Sequence, residues 1–320
     1  MLFGIIIVSL HHRLMLNVLP YMKYDVIIPV AFKDYSFLKK SHYYLRENLG
    51  AEHFFILTNG RMARFLPSVI KKDPSFIVLD EDKLLDGLTY QNIYSIIKLQ
   101  GRKHTNTGWF FQQFLKMGFA QSNYCKNDYY MSWDADTVPI KKLVFFDDEG
   151  RPYFTMKSEY NKPYFDTMEK LIGLTKTNPF SYIAEHMMFN KNIMKKLIKK
   201  VETNSDVDGD TWYEKIMNAI PPEIVSTNSF SEFETYGTYC AKYHPDMYVE
   251  RSMNGFRLGG LIQGRFVSKR ILQEFAGYDY SVVSFEIYHR PPFPWGGVCE
   301  WYERKYLKYK EKLLRKMIGV

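Results

Sequence analysis

Cysteine is scarce in this chain: Cys125, Cys240 and Cys299 lie far apart and form no Cys-x-x-Cys pair. An odd, scattered set argues against a disulfide framework and a structural zinc site, and it fits a reducing compartment. Long apolar runs near the start are also missing. Leu2 to Leu10 is a mostly apolar stretch of nine residues, too short to span a bilayer, and no basic stretch precedes it as in a secretory signal. Residues 1–22 therefore read as an N-terminal extension, with the fold beginning at Met22 or Lys23. No internal repeat and no low-complexity linker follows. Acids are the minority charge: 35 Asp and Glu face 43 Lys and Arg, for a formal charge of +8. That excess suits an acidic partner such as a phosphorylated substrate or an anionic membrane surface.

What the chain does contain is enough apolar material for a large core, 46% of 320 residues, with 25 Tyr and 24 Phe. Tyr24 to Val30 is a near-continuous apolar run, the pattern of a strand buried on both faces of a parallel sheet. A helix follows, with Ser36 as its expected cap, Phe37, Leu38, Tyr44, Leu45 and Leu49 on one face, and Gly50 as its end. His53 to Thr58 reads as a second strand closed by Asn59-Gly60, and Ser75 to Leu79 as a third. Strand, helix, strand in this order predicts a doubly wound α/β arrangement. Further helices are expected at Trp109–Ala120, Tyr164–Leu174, Lys191–Val201, Thr211–Ala219 and Ser231–Lys242, with a hairpin around Asp147–Gly150.

The segment Tyr129-Tyr130-Met131-Ser132-Trp133-Asp134-Ala135-Asp136 carries the most chemistry. It is an apolar strand ending in two carboxylates one residue apart, at the edge of the sheet where open α/β folds bind ligands. Residues i and i+2 of an extended chain point to the same side, so Asp134 and Asp136 can turn their oxygens toward one point. Hard cations such as Mg²⁺ and Mn²⁺ take oxygen ligands and bridge carboxylates to diphosphates. A solvated turn is the plainer account of any two such acids.

These features resemble a GT-A type glycosyltransferase. More narrowly, Gly108-Trp109-Phe110-Phe111-Gln112-Gln113-Phe114-Leu115-Lys116, Trp133-Asp134-Ala135-Asp136, Glu185-His186-Met187-Met188-Phe189 and Ser231-Glu232-Phe233-Glu234-Thr235-Tyr236-Gly237 resemble a bacterial family of glycosyltransferase-like proteins of unknown function. The similarity runs from about Lys23 to Tyr243. It implies a GT-A-like (Rossmann-like) α/β fold, with a mixed, mostly parallel central sheet flanked by helices. The division expected along the chain is 23–140 for the nucleotide-sugar-binding half, 141–298 for the acceptor-binding half and 299–320 for a basic C-terminal helix.

The function implied is transfer of a sugar from a nucleotide-sugar donor to a glycan or lipid-linked acceptor, as in polysaccharide biosynthesis. Asp134 and Asp136 would hold Mn²⁺ or Mg²⁺ against the leaving diphosphate. Lys116 and Arg102 would add charge to the same phosphates. Asp34, just past the first strand, reads as a ribose contact or a helix-entry acid, and Asn59 as a nucleotide contact or a turn residue. The base that takes the acceptor proton is sought among Glu185, His186, Glu232 and Glu234. Ser229 with Glu232 and Ser231 with Glu234 both have capping-box spacing, so one of these acids is a cap. The other would sit where the helix dipole favours its ionised form. His186 is equally a core histidine. His289, in a Pro-rich tail segment, is a third candidate metal ligand.

The last segment, Trp301 to Met317, holds seven Lys and Arg against two Glu, interleaved with Tyr, Leu and Met. It reads as a basic amphipathic helix, either lying on an anionic leaflet or packed on its own domain. The location expected is cytoplasmic, with peripheral contact at the inner membrane and no nucleic-acid partner. Two rivals remain in view. A nucleotidyltransferase would carry a Gly-rich loop after its first strand, where Ala31-Phe32-Lys33-Asp34 stands. A non-catalytic basic protein binding glycan or membrane would bind anions no worse once the two acids were neutralised.

Overall fold

A computed structural model describes residues 22–101, 106–221 and 228–319. Most of the expected N-terminal extension, together with Arg102, lies outside the described residues. Strands β1 (Tyr24–Pro29), β2 (Phe54–Thr58), β3 (Phe76–Asp80), β4 (Tyr129–Trp133) and, later in the chain, His186–Asn190 build one sheet. Three shorter strands intervene or follow closely: β5 (Thr137–Pro139), β6 (Tyr153–Thr155) and, counting His186–Asn190 as β7, β8 (Val249–Arg251). The central sheet has the order β3-β2-β1-β4-β7, parallel except for β7, which runs antiparallel to β4. It is the mixed, mostly parallel α/β sheet that the resemblance implies.

Period-two alternation decides what each face of this sheet touches. Ile27, Phe55, Leu57 and Tyr130 enter one core, with Phe110, Phe114 and Phe119 packed over them. Val26, Ile28, Phe54, Ile56, Met131 and Trp133 enter the other, against Leu38, Leu45 and Leu49. Fully burying one such side chain contributes about 1.5–3 kcal/mol, so two filled faces fix the register of every central strand.

The chain leaves β1 toward β2 and β3 on one side, then returns to place β4 on the other side of β1. The carboxyl ends of β1 and β4 therefore flank the topological switch point, where such sheets leave a crevice. Two small strands, β9 (Gly255–Phe256) and β10 (Val282–Ser284), close beside it. β10 pairs antiparallel with β5 and parallel with β9, and a hydrogen bond from Phe285 N to Asp136 O (2.9 Å) fastens this second sheet to the acidic turn.

Several expected boundaries shift. The first helix spans Tyr35–Leu49 and ends on Gly50 in the left-handed conformation (φ 67°), but its N-cap is Asp34 and Ser36 lies inside the first turn. The aromatic helix is Thr107–Gly118, continued by a short 3-10 turn Phe119–Gln121. Around Asp147–Gly150 the chain does fold back, with a bridge between Phe146 and Pro152. The division at residue 140 is crossed twice, because β7 joins the central sheet and β10 joins β5. The boundary expected at 298/299 falls inside the helix Trp295–Glu300.

The C-terminal segment is helical throughout: Trp295–Glu300, a π-helical stretch Trp301–Leu307, then Lys308–Ile318. It packs on its own domain. Leu314 and Ile318 lie against the second core, and Arg61 Nη1 donates to Gly319 O at 2.6 Å. No helix among the described residues is long and apolar enough to cross a membrane.

Candidate active site

Trp133 is the last residue of β4 and pairs with His186, the first of β7. One step further, Asp134 N donates to Glu185 O at 3.0 Å, so Glu185 stands directly across from Asp134. The acidic turn is held shut by Thr137 N on Asp134 O (3.1 Å) and by the Trp133 indole on Thr137 O (3.0 Å). The two carboxylates are thus displayed by a rigid strand end.

Lys116, nearly fully buried on the aromatic helix, bridges Asp134 Oδ1 (3.1 Å) and Glu232 Oε1 (3.0 Å) and sits over the Phe233 ring. Burial pulls the ammonium's pKa down, but Asp134 and Glu232 outweigh it and hold the group above its ordinary range. The Gln113 amide faces the Glu232 carboxylate as well. Glu232 is raised above the usual carboxylate range, because burial outweighs the attraction of Lys116.

Asp34 comes to the same crevice from the end of β1. It accepts from Arg265 Nη1 at 2.6 Å, while the Arg265 guanidinium lies over the Phe37 ring and its Nε and Nη2 have no hydrogen-bond partner. Asp136 has its pKa pushed up to about 6 by burial and by the charges of Asp134 and Asp34, with Arg265 and Lys33 pulling the other way. These effects place the five side chains in one electrostatic neighbourhood.

On the opposite side, Arg257 joins three acids: Glu185 (3.3 Å), Glu286 (3.5 Å) and Glu159. Lys157 adds a second cation to Glu185 at 3.3 Å. Glu286 follows β10, and burial, followed by Asp136, Asp134 and Glu185 against the opposing pull of Arg257, moves its pKa to about 7. Sequence reasoning missed Glu286, Arg257 and Arg265. The one local signal, near Glu286, is Val282-Val283, a β-branched pair too short to announce a strand.

The remaining candidates have scaffolding roles. Glu234 accepts from Ser181 Oγ and from Tyr182 N (3.2 Å) and pairs with Lys176 (3.5 Å). Ser231 does cap the helix Glu232–Tyr243 through Glu234 N (3.2 Å), but the Glu234 side chain turns into the core instead of completing a box. Burial raises the pKa of Glu234 too, so at neither acid does the helix dipole decide the protonation state. His186 stacks on Trp133 with ring centres 5.2 Å apart, and burial pulls its pKa down to about 3, which makes it a neutral core residue. Asn59 Oδ1 accepts from Met62 N at 3.2 Å and closes a turn.

The donor set suits a hard cation at Asp134 and Asp136: burial and the neighbouring charge of Asp134 make ionisation of Asp136 costly, and a divalent ion would relieve that cost. His289 has a buried Nδ1 without a partner. Asp134, Asp136 and His289 are not gathered within 4.8 Å of one another; among the described residues that condition is met only by Asp25, Glu52 and His53, at the amino ends of β1 and β2. There Asp25 pairs with His53 (2.9 Å), Asn127 bonds both acids (3.0 Å each), and Lys23 pairs with Glu52 (2.6 Å), so the cluster is a satisfied polar network.

Residues 25–250 match a family model described as a family of unknown function, DUF6492. No curated protein sequence matches the chain. Among solved structures, the fold is similar to mouse xyloside xylosyltransferase 1 (8% identity, TM-score 0.45, 85% of this chain and 100% of that one). It is also similar to the glycosyltransferase GlyE of Streptococcus pneumoniae TIGR4 (10%, TM-score 0.40), covering 93% of this chain and 63% of that one. The mannosyltransferase Ktr4p of S. cerevisiae is a third similar structure (11%, TM-score 0.40, 63% of this chain and 67% of that one).

Proposed function

We propose that this chain, which belongs to the DUF6492 family of unknown function, is a GT-A type glycosyltransferase that moves a sugar from a nucleotide-sugar donor to a glycan or lipid-linked acceptor. The observation that carries this reading is the convergence of Asp34, Asp134 and Asp136 on the switch-point crevice between β1 and β4, with Arg265 and Lys33 beside them. A crevice with both signs of charge suits a diphosphate that arrives with its cation.

Asp134 and Asp136 would hold Mn²⁺ or Mg²⁺; when bound, the ion supplies positive charge against the departing diphosphate. Arg265 offers that diphosphate its two unpartnered guanidinium nitrogens. In the reaction, the acceptor oxygen bonds to the anomeric carbon while the bond from that carbon to the diphosphate oxygen breaks. Glu185 and Glu286, both tied to Arg257, stand on the acceptor side of the acidic turn. Of the two, Glu286 is the more open to solvent, with 13% of its side chain exposed against 3%, and is assigned to receive the acceptor's proton.

Calorimetric titration of UDP, GDP and CMP, each with and without Mn²⁺, into the wild type and Asp136→Asn tests this reading. The expected result is metal-dependent binding of one nucleotide that weakens at least about tenfold in the variant. Binding indifferent to metal and to the substitution would overturn the transferase reading in favour of a non-catalytic basic protein.

A further inference from the structure

The C-terminal helical arm presents two unlike faces. Its inner face is buried or half-buried: Glu303 bonds Arg290 (2.9 Å), Leu307 is enclosed, and Leu314 and Ile318 rest on the core. Its outer face keeps Trp301, Tyr306, Tyr309, Leu313 and Met317 in solvent, with Met317 at 72% exposure. The spacing of Tyr309, Leu313 and Met317 is four residues each, so they line one stripe of the helix Lys308–Ile318.

A second stripe of Lys308, Lys312 and Lys316 runs beside the first by the same spacing; Lys305 continues it, and Lys310 borders the apolar stripe over the Tyr306 ring (5.8 Å). The acids of the arm are already paired, Glu300 with Arg304, Glu303 with Arg290 and Glu311 with Arg315, so these five lysines have no acidic partner among the described residues. The apolar strip extends onto the body of the protein. Phe266 meets Tyr302 at 5.1 Å between ring centres, Tyr302 stacks on Tyr306 at 5.5 Å, and Leu261 and Ile262 are exposed in the adjoining helix Gly260–Gln263. At the arm's entry, Phe293 is 92% exposed and Trp295 is 65% exposed.

We infer that this face docks on an anionic lipid surface, with the aromatic and aliphatic strip entering the headgroup layer and the lysine stripe meeting lipid phosphates and carboxylates. The charge decides the occupant. A second copy of this chain would set one lysine stripe against another, whereas an anionic leaflet neutralises it. Trp and Tyr at the rim suit the boundary between headgroups and acyl chains. The arm follows directly on the segment of Glu286 and His289, so docking would hold the acceptor side of the crevice near the membrane. The docking itself does not depend on the transferase reading.

The experiment is co-sedimentation of the full chain with phosphatidylcholine vesicles, with and without about one third phosphatidylserine. The variants are Lys308→Gln/Lys312→Gln/Lys316→Gln and Tyr309→Ser/Leu313→Ser/Met317→Ser. Their positions are exposed, so the fold is expected to survive, and circular dichroism checks this. Wild type should pellet with the anionic vesicles and not the neutral ones. Each lysine near such a surface is worth about fivefold in affinity, so the charge variant should lose on the order of a hundredfold, and added salt should mimic it. The apolar variant should bind measurably less as well. Failure of the wild type to pellet, equal binding by wild type and both variants, or a wild-type dimer in sedimentation equilibrium that the apolar variant abolishes would each overturn the inference.

Discussion

His186 shows how a single residue can carry two readings from its neighbours in sequence. Between Glu185 and an apolar run it has the look of a catalytic imidazole, yet it is stacked on Trp133 with Nε2 near Thr155 Oγ1 (3.3 Å). Its folded pKa of about 3 lies below the ordinary 6.5, so the folded state refuses a proton that the unfolded chain accepts. The stability this contributes is complete above pH 6.5 and is lost as pH falls toward 3. Thermal unfolding of the wild type should therefore fall more steeply over that window than that of His186→Phe, which keeps the ring stack without the titration. Parallel curves for the two proteins would contradict the assignment. Lys116 carries a related lesson: its position on an aromatic helix suggests phosphate contact, while in the fold it is engaged by Asp134 and Glu232.

At the scale of the element, the helix Glu232–Tyr243 is fitted closely to the body. A Cβ at Gly237 would stand 2.3 Å from the Tyr182 ring, which is fully buried and bonded to Asn178. Gly237→Ala would gain about 1 kcal/mol in helix propensity and meet an overpacking cost of about 1–3 kcal/mol or more, since a buried ring has nowhere to move. Net destabilisation is expected in urea unfolding; a more stable variant would mean that Tyr182 can swing aside.

The same scale separates what was legible from what was not. β1 to β4 declare themselves because each is a mostly apolar run of five or six residues with helices or turns between. The acidic turn is legible for the same reason, as the polar end of such a run. Glu286, Arg257 and Arg265 are not, because β9 and β10 hold only two and three residues: β10 owes its place to pairing with β5, more than a hundred positions earlier, and β9 to pairing with β10. Burial of Glu232 beside Lys116 is likewise a tertiary fact, invisible to a cap-spacing rule.

Across the whole molecule, protection from solvent is uneven. β1, β2 and β4 have neighbours on both edges and cores on both faces, whereas the helix Lys308–Ile318 has no fully buried side chain. Hydrogen exchange should find the slowest amides in those three strands and early exchange in the terminal helix, which opens without unfolding the sheet. Terminal-helix amides as slow as those of β1 would show instead that the arm is part of the global folding unit. The split of the crevice between distant stretches of chain also gives it an order of birth. On the ribosome, Asp34, Lys116, Asp134 and Asp136 emerge well before Arg257, Arg265 and Glu286. A half-made chain thus carries the acids of the crevice without Arg257 and Arg265, so Asp34 and Glu185 wait for their guanidinium partners until residues 257–265 have been translated.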